Sequence, residues 1–297
     1  MSEPLRSPLS GRHASIVVLV HNKLAYTRRC LESLLLTDYT PLELIIVDNG
    51  STDGTREYLA AFGARAREAG LDFRLIANEG NVGCSTGRNQ GLAAASGEVA
   101  VFMDNDTALR QRGWLRSLVA GLFSAEDIGV VGPKLVYPFA PHDIQCAGVG
   151  VSPKGRIQFR GRGEARTDSR FSERREVQCL ISACFALRTG AARDVGGSEE
   201  IYNPVEYEDL DLCYRLREKG WRALYLPEAE VYHFEGVTTT GTPSLPNTYL
   251  LIKNGYEFKK RWRPMFSREA GPPEAETCWK KIRTPALGEI GELEIQP

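Results

Sequence analysis

Four short apolar runs, each breaking off on polar residues and separated by helix-like stretches, constrain this chain more than anything else in it. The runs are SIVVLV (15–20), ELIIV (43–47), FRLI (73–76) and EVAVFM (98–103). Between them lie 26–36, with Leu31, Leu34 and Leu35 on one helical face, then 55–69 and 87–95. This alternation predicts an α/β fold with a mostly parallel central sheet flanked by helices. Such sheets bind ligands beyond the carboxyl ends of their strands. Those ends read His21-Asn22, Asp48-Asn49-Gly50-Ser51, Asn78 and Asp104-Asn105-Asp106.

Charge excludes one class of partner. Lys plus Arg (37) nearly cancels Asp plus Glu (38), so no field favours nucleic acid and no nucleic-acid partner is expected. The seven cysteines form no C-x-x-C pair, which argues against a disulfide framework or zinc site and fits a reducing cytoplasm. Neither a signal peptide nor a membrane span is expected, since no apolar h-region and no run of 18 apolar residues occurs.

Later in the chain, 114–123 reads as a helix, 128–131 as a strand and 203–219 as a helix closed by Gly220. The Arg-rich stretch 152–178 reads as a solvated excursion. Residues 1–13 form a flexible tail, 14–110 a nucleotide-binding half and 111–266 an acceptor and catalytic half of one domain. A loosely attached extension follows at 267–297, where Pro, Gly and Glu accumulate without an apolar face.

Asp104 and Asp106 stand two apart, so in an extended chain both carboxylates face one point. Two hard oxygen ligands suit Mg2+ or Mn2+, which take further oxygens from a diphosphate. Asp48 either faces the rim, accepting from a base or ribose, or joins its own turn, where Ser51, Thr52 or Asp53 caps the helix from Thr55; the sequence leaves both open. Glu208, Asp209 and Asp211 fall near a helix start, where the dipole favours carboxylates. Asn203-Pro204-Val205-Glu206 offers a capping box for it. His233 follows an apolar run. No Walker loop is present.

In order, VDNGSTDGT, NVGCSTGRNQGL (81–92), FMDND, EDLDLCYRLREKGW and YHFEG resemble the inverting family-2 glycosyltransferases of GT-A fold, a Rossmann-like nucleotide-diphospho-sugar transferase fold, and most of all their bacterial rhamnosyl- and galactofuranosyltransferase-like branch. The resemblance spans 15–263. It implies a metal-dependent transfer of sugar from a nucleotide-sugar donor, UDP- or dTDP-linked, to a hydroxyl of a glycan, lipid-linked or other acceptor. It places nucleotide-sugar binding on Asn22, Asp48, Asn81, Gly83, Arg88, Asp104 and Asn105, with Asn89 beside them. Mn2+ or Mg2+ falls to Asp104 and Asp106, joined by His233, and the catalytic pair is Glu208 and Asp209, with Asp209 the general base. Ser198-Glu199-Glu200 departs from the family's pattern of an aromatic and Asp, on the acceptor side. A sugar-nucleotide pyrophosphorylase is the alternative enzyme, though its glycine-rich first loop is missing from VLVHNKLAYTRRC; a non-catalytic binding module is the other. The run Lys259-Lys260-Arg261-Trp262 either touches an anionic membrane, in peripheral contact with its inner face, or forms a solvated helix end.

Overall fold

The computed structural model describes residues 11–237 and 247–297. The first half runs β1 (Ala14–Val20), α1 (Leu24–Leu34), β2 (Leu42–Asp48), α2 (Thr55–Glu68), β3 (Asp72–Ala77), α3 (Cys84–Ala94), β4 (Val99–Asp104), β5 (Thr107–Leu109) and α4 (Trp114–Leu122). The second runs β6 (Ile128–Val136), β7 (Ile144–Cys146), β8 (Val149–Val151), β9 (Ile157–Phe159), β10 (Arg175–Val177), β11 (Cys184–Arg188), α5 (Thr189–Asp194), α6 (Glu208–Glu218), β12 (Arg222–His233) and α7 (Asn247–Phe266). The main sheet has the order β10-β12-β6-β11-β4-β1-β2-β3, with β5 on β12 and β7 on β6. β1, β2, β3 and β4 are parallel, and so are β6 and β12; β11 enters antiparallel between β4 and β6. The expected mostly parallel α/β sheet is present.

From β1 the chain steps outward to β2 and β3, then returns to place β4 on the other side of β1. That reversal opens a crevice past the ends of β1 and β4, where open α/β sheets take ligands. The β1 and β2 side chains are buried throughout, as expected for a sheet covered on both faces. Helix α1 covers it with Thr27, Cys30, Leu31 and Leu34, a stripe at helical spacing. Helix α3 approaches more closely: a Cβ on Gly91 would stand 2.1 Å from Val17 Cγ1, so only glycine lets α3 lie against β1.

Three expectations need correction. Strand β6 continues past the expected end at Val131 to Val136, through Gly132-Pro133. The pairing tolerates Pro133 because the β12 register shifts between Leu226 and Glu230, and proline in a sheet is confined to such irregularities. The Arg-rich stretch is not simply solvated: Arg160 and Arg162 are buried and pair with Glu276 and Glu235 at 2.8 and 2.6 Å. Residues 267–297 are not loosely attached. Gly161 N donates to Glu276 O, Arg29 to Ile290 O, and Gln296 N to Arg110 O, while Ile290 is buried. Apolar patterning fails to foresee this because backbone groups and ion pairs hold the segment.

Among the described residues no helix is long and apolar enough to cross a membrane.

Candidate functional site

A cleft of about 570 Å³ opens at the ends of β1 and β4. Asn81, Arg88, Asp104, Asn105, Asp106, Glu208, Asp209 and His233, all singled out in the sequence, line it together. Four others stand behind its surface. Asp48 is fully buried, accepting from Ser51 N at 3.0 Å and Arg56 Nε at 3.0 Å, so the turn has claimed it. Asn22 accepts from Thr52 N at 2.7 Å, and Asn89 clasps Ser198. Gly83 has φ of 91°, and a Cβ there would meet Asn203 Oδ1 at 2.2 Å; its role is to bring the α3 N-terminus against the 203–204 turn. Asp53, one of three candidate caps, accepts from Thr55 N and from Leu24 N, serving the starts of α2 and α1 at once.

Asp104 and Asp106 leave the sheet at the tip of β4. One oxygen each of Asp104 and Asp106 and a ring nitrogen of His233 lie within 4.8 Å of one another. Strand β12 carries His233 there by pairing it with Thr107 of β5. Its Nε2 faces Asp106 Oδ1 at 3.5 Å, and its Nδ1 meets Gln145 Oε1 at 3.3 Å. An amide oxygen only accepts, so Nδ1 carries the proton of that bond and Nε2 is directed at the acids. Gln145 is oriented in turn, its Nε2 donating to Glu235, which Arg162 grips with two hydrogen bonds at 2.6 and 2.9 Å. Sequence gives no sign of this chain from Arg162 to His233, whose members come from three separate segments.

Burial pushes the Asp104 pKa up, Arg88 opposes this and Asp106 adds to it. Burial works against the charge on Asp106 too, but His233 outweighs it and holds that carboxyl below its ordinary range. For His233 burial disfavours the imidazolium, yet Asp106 more than offsets this and raises its pKa. The trio therefore already attracts a positive charge between its members. Two carboxylates and an imidazole with its far nitrogen hydrogen-bonded form a donor set that fits a divalent cation.

Arg88 binds the cleft's two sides together. Its guanidinium is buried and donates to Asp104 Oδ1 and Glu208 Oε1, both at 2.6 Å. Glu208 Oε2 is buried in the lining without a hydrogen bond from the protein, a vacancy suited to a polar ligand. Helix α6 begins at Glu208, and the capping box expected at 203–206 does not form. Instead Glu206 and Tyr207 both take positive φ, 86° and 75°, a costly backbone path for residues with side chains. Asn254 of α7 holds that path, its amide donating to Tyr202 O, Val205 O and Glu206 O at 2.9, 2.8 and 3.0 Å.

Asp209 emerges from this turn with Oδ2 accepting from Ser182 N at 3.1 Å and Oδ1 from Leu210 N at 2.7 Å. The next residue, Ala183, accepts from Asp104 N at 3.0 Å, so one loop before β11 ties both acidic groups. Burial first, and the neighbouring Glu208 second, raise the Asp209 pKa to about 7. Asp211 is structural: fully buried, it accepts from Trp262 Nε1 at 2.7 Å, Arg215 Nε at 2.7 Å and Tyr202 Oη at 3.1 Å.

Among known proteins, the sequence signature described as Glycosyl transferase family 2 matches residues 15–196, more than half of the chain. The chain is 31% identical over 234 residues to the pre-mycofactocin glycosyltransferase of Mycobacterium tuberculosis, covering 75% of itself but 43% of that relative's length. It is 27% identical over 253 residues to the N-acetylglucosaminyl-diphospho-decaprenol L-rhamnosyltransferase of the same organism, covering 77% of itself and 78% of the relative. The crystal structure of GalNAc-T7 with UDP, GalNAc and Mn2+ shares the fold at a TM-score of 0.62 and 14% identity, over 84% of this chain and 58% of that one.

Proposed function

The chain belongs to glycosyl transferase family 2, and from that premise we propose that it is an inverting, metal-dependent glycosyltransferase. It moves a sugar from a UDP- or dTDP-linked donor to a hydroxyl of a glycan or lipid-linked acceptor, in glycan or glycoconjugate assembly. The observation that carries this is the meeting, in one cleft, of Asp209 with Asp104, Asp106 and His233. Residues 14–110 supply the donor side with Asn81, Arg88, Asp104, Asn105 and Asp106; the second half supplies Asp209 and His233.

Asp104, Asp106 and His233 would hold Mn2+ or Mg2+. When bound, such a cation neutralises, as a Lewis acid, the charge gathering on the departing diphosphate. Arg88 keeps one Asp104 oxygen fixed and leaves the other free for the site. Glu208 anchors Arg88 and thereby acts by positioning. Asp209 takes the proton from the acceptor hydroxyl as the new bond forms. A carboxyl with a pKa of about 7 is a far better base than an ordinary carboxylate. Attack from the side opposite the diphosphate inverts the anomeric centre. Asn22, Asp48 and Gly83 serve the donor by shaping the loops beneath it.

We place the enzyme in the cytoplasm, at the inner face of a membrane when its acceptor is lipid-linked. Calorimetry with UDP and Mn2+ tests the donor side. Asp106→Ala is expected to weaken Mn2+-dependent UDP binding by more than about tenfold, since losing even a residue behind a ligand costs about 10–100-fold. Unchanged affinity would remove the metal role. Incubation with UDP- and dTDP-sugars and glycan acceptors should yield a product of inverted configuration by NMR; retention would refute the reading.

A further inference from the structure

The exposed face of α7 is built unlike the rest of the surface. Its buried face recurs every fourth residue, Leu250, Asn254, Phe258, Trp262 and Phe266, and packs on the body of the protein. Trp262 and Arg261, which a reading of the sequence offers to a membrane, belong to that attachment: Trp262 bonds Asp211, and Arg261 pairs with Glu199 at 3.0 Å. Tyr249, Ile252 and Tyr256 stand on the opposite face at i, i+3 and i+7, exposed by 56%, 68% and 65%. Lys253, Lys259, Lys260 and Arg263 fall on the same stripe at helical spacing and are all exposed. None of these four is ion-paired among the described residues, and the stripe contains no acid. Glu257, the one acid of α7, lies to its side.

We infer that this stripe docks on an anionic lipid surface, deepening the lipid-linked acceptor reading, on which it rests. Tyrosines and an isoleucine flanked by lysines suit the headgroup boundary, where rings and stems lie among apolar groups and charges reach outward. A second copy of the chain is the poorer occupant, because pairing the stripe with itself would set four cations against four others without a counter-charge. Geometry gives the docking a use. Leu250 and Leu251, in the first turn of α7 and on the side away from the stripe, line the same cleft as Asp209, and Ile157, Phe159 and Trp279 continue that apolar wall. Docking through α7 would bring that apolar wall within a helix's width of the surface. An acceptor anchored in the bilayer would then offer its hydroxyl to Asp209 while its apolar portion stays beside α7.

The test is co-sedimentation of the full chain with vesicles of phosphatidylcholine, with and without one third phosphatidylglycerol, at low and high salt. The protein should pellet with the anionic vesicles at low salt and not with phosphatidylcholine alone. Lys253→Glu/Lys260→Glu/Arg263→Glu should lower the partition coefficient by more than about a hundredfold, since losing three near-surface charges alone implies that much and their reversal adds repulsion. Ile252→Ser/Tyr256→Ser should remove the binding that persists in salt. Both variants should bind UDP with Mn2+ as the parent does. No pelleting of the parent at low salt, or equal pelleting of the charge-reversed variant, would overturn the docking while leaving the transferase reading standing. Failure of the parent to bind UDP with Mn2+ would strike that reading instead. A dimer in sedimentation velocity that the charge-reversed variant dissolves would assign the face to a second copy and overturn the lipid proposal.

Discussion

Asp209→Asn is expected to lower transfer by about 10²–10⁴-fold, the usual worth of a positioned general base, while UDP and Mn2+ binding persists. The residues lining the donor side are untouched by the change, so the loss belongs in the chemical step. In the parent, kcat/KM should climb on its acid side with a midpoint near pH 7, where Asp209 loses its proton. The residual activity of the variant should lack that limb. Stability should move the other way. The folded-state pKa lies above the ordinary 3.8, so folding favours the protonated acid; this contribution is full below about pH 4 and is lost as pH rises through about 7. Asparagine never pays it. The variant should therefore match the parent near pH 4 and melt higher at pH 8, by on the order of 2–4 kcal/mol at most. The amide cannot accept from both Ser182 N and Leu210 N, which trims the gain. Full transfer activity at pH 8 would dismiss Asp209 as the base, and a lower melting point at pH 8 would dismiss the burial argument.

That a carboxylate buried as Asp209 is should be costly to the fold explains how its surroundings are built. Two successive side-chain-bearing residues at positive φ precede α6, and Asn254, a buried amide from α7, holds them there. Strain of this kind persists only where neighbours over-determine it. Here the neighbour is the helix whose outer face carries the proposed lipid contact, so that face and the turn that presents Asp209 are two sides of one element.

How far such features can be read in advance follows from where their causes lie. The strands β1 to β4 fall within one residue of the apolar runs: in β1, β2 and β4 burial on both faces leaves a continuous signal that the polar tips end, and in β3, the edge strand, the short run FRLI suffices. Asp104 and Asp106 are legible for the same reason. Asp48 is not: two readings of its tip are equally consistent locally, and Arg56, a turn into the next helix, helps to decide between them. The start of α6 is misread because Asn203-Pro204 has every local mark of a cap, whereas the backbone there obeys Asn254 of a distant helix. Arg162 sits in a stretch whose arginines read as solvated in the sequence, and only the topology carries it to Glu235 and, through Gln145, to His233. Patterning reports burial; it does not report which buried charge will find which partner.

Arg88 is the sharpest case, and replacing it should have the largest structural effect. Its buried guanidinium joins Asp104 of β4 to Glu208 of α6, one acid from each half of the domain. Arg88→Met fills the space but leaves the buried Glu208 and the half-buried Asp104 without their cation. Removing one partner from a buried charge pair costs about 3–5 kcal/mol, and here one residue serves two pairs. The loss should be greatest at neutral pH. Without Arg88 the folded-state pKa of Asp104, which the guanidinium holds down, rises, so protonation relieves it, and the difference from the parent should shrink as pH falls through the carboxylate range. Arg88→Lys should rescue only part, because one ammonium cannot reproduce the planar fork that reaches two acids. Glu208→Gln in the Arg88→Met background should restore stability relative to Arg88→Met alone, by removing one unpaired charge. Mn2+ affinity should also fall, by about 10–100-fold at neutral pH, because Asp104 loses the group that fixes its second oxygen. Thermal denaturation across pH checks the first effect, and Mn2+ titration of the folded fraction checks the second. If Arg88→Met melts with the parent at pH 7, the guanidinium is not the brace between the halves, and the convergence of Asp104 and Glu208 must be enforced by the packing of β4 and α6 alone.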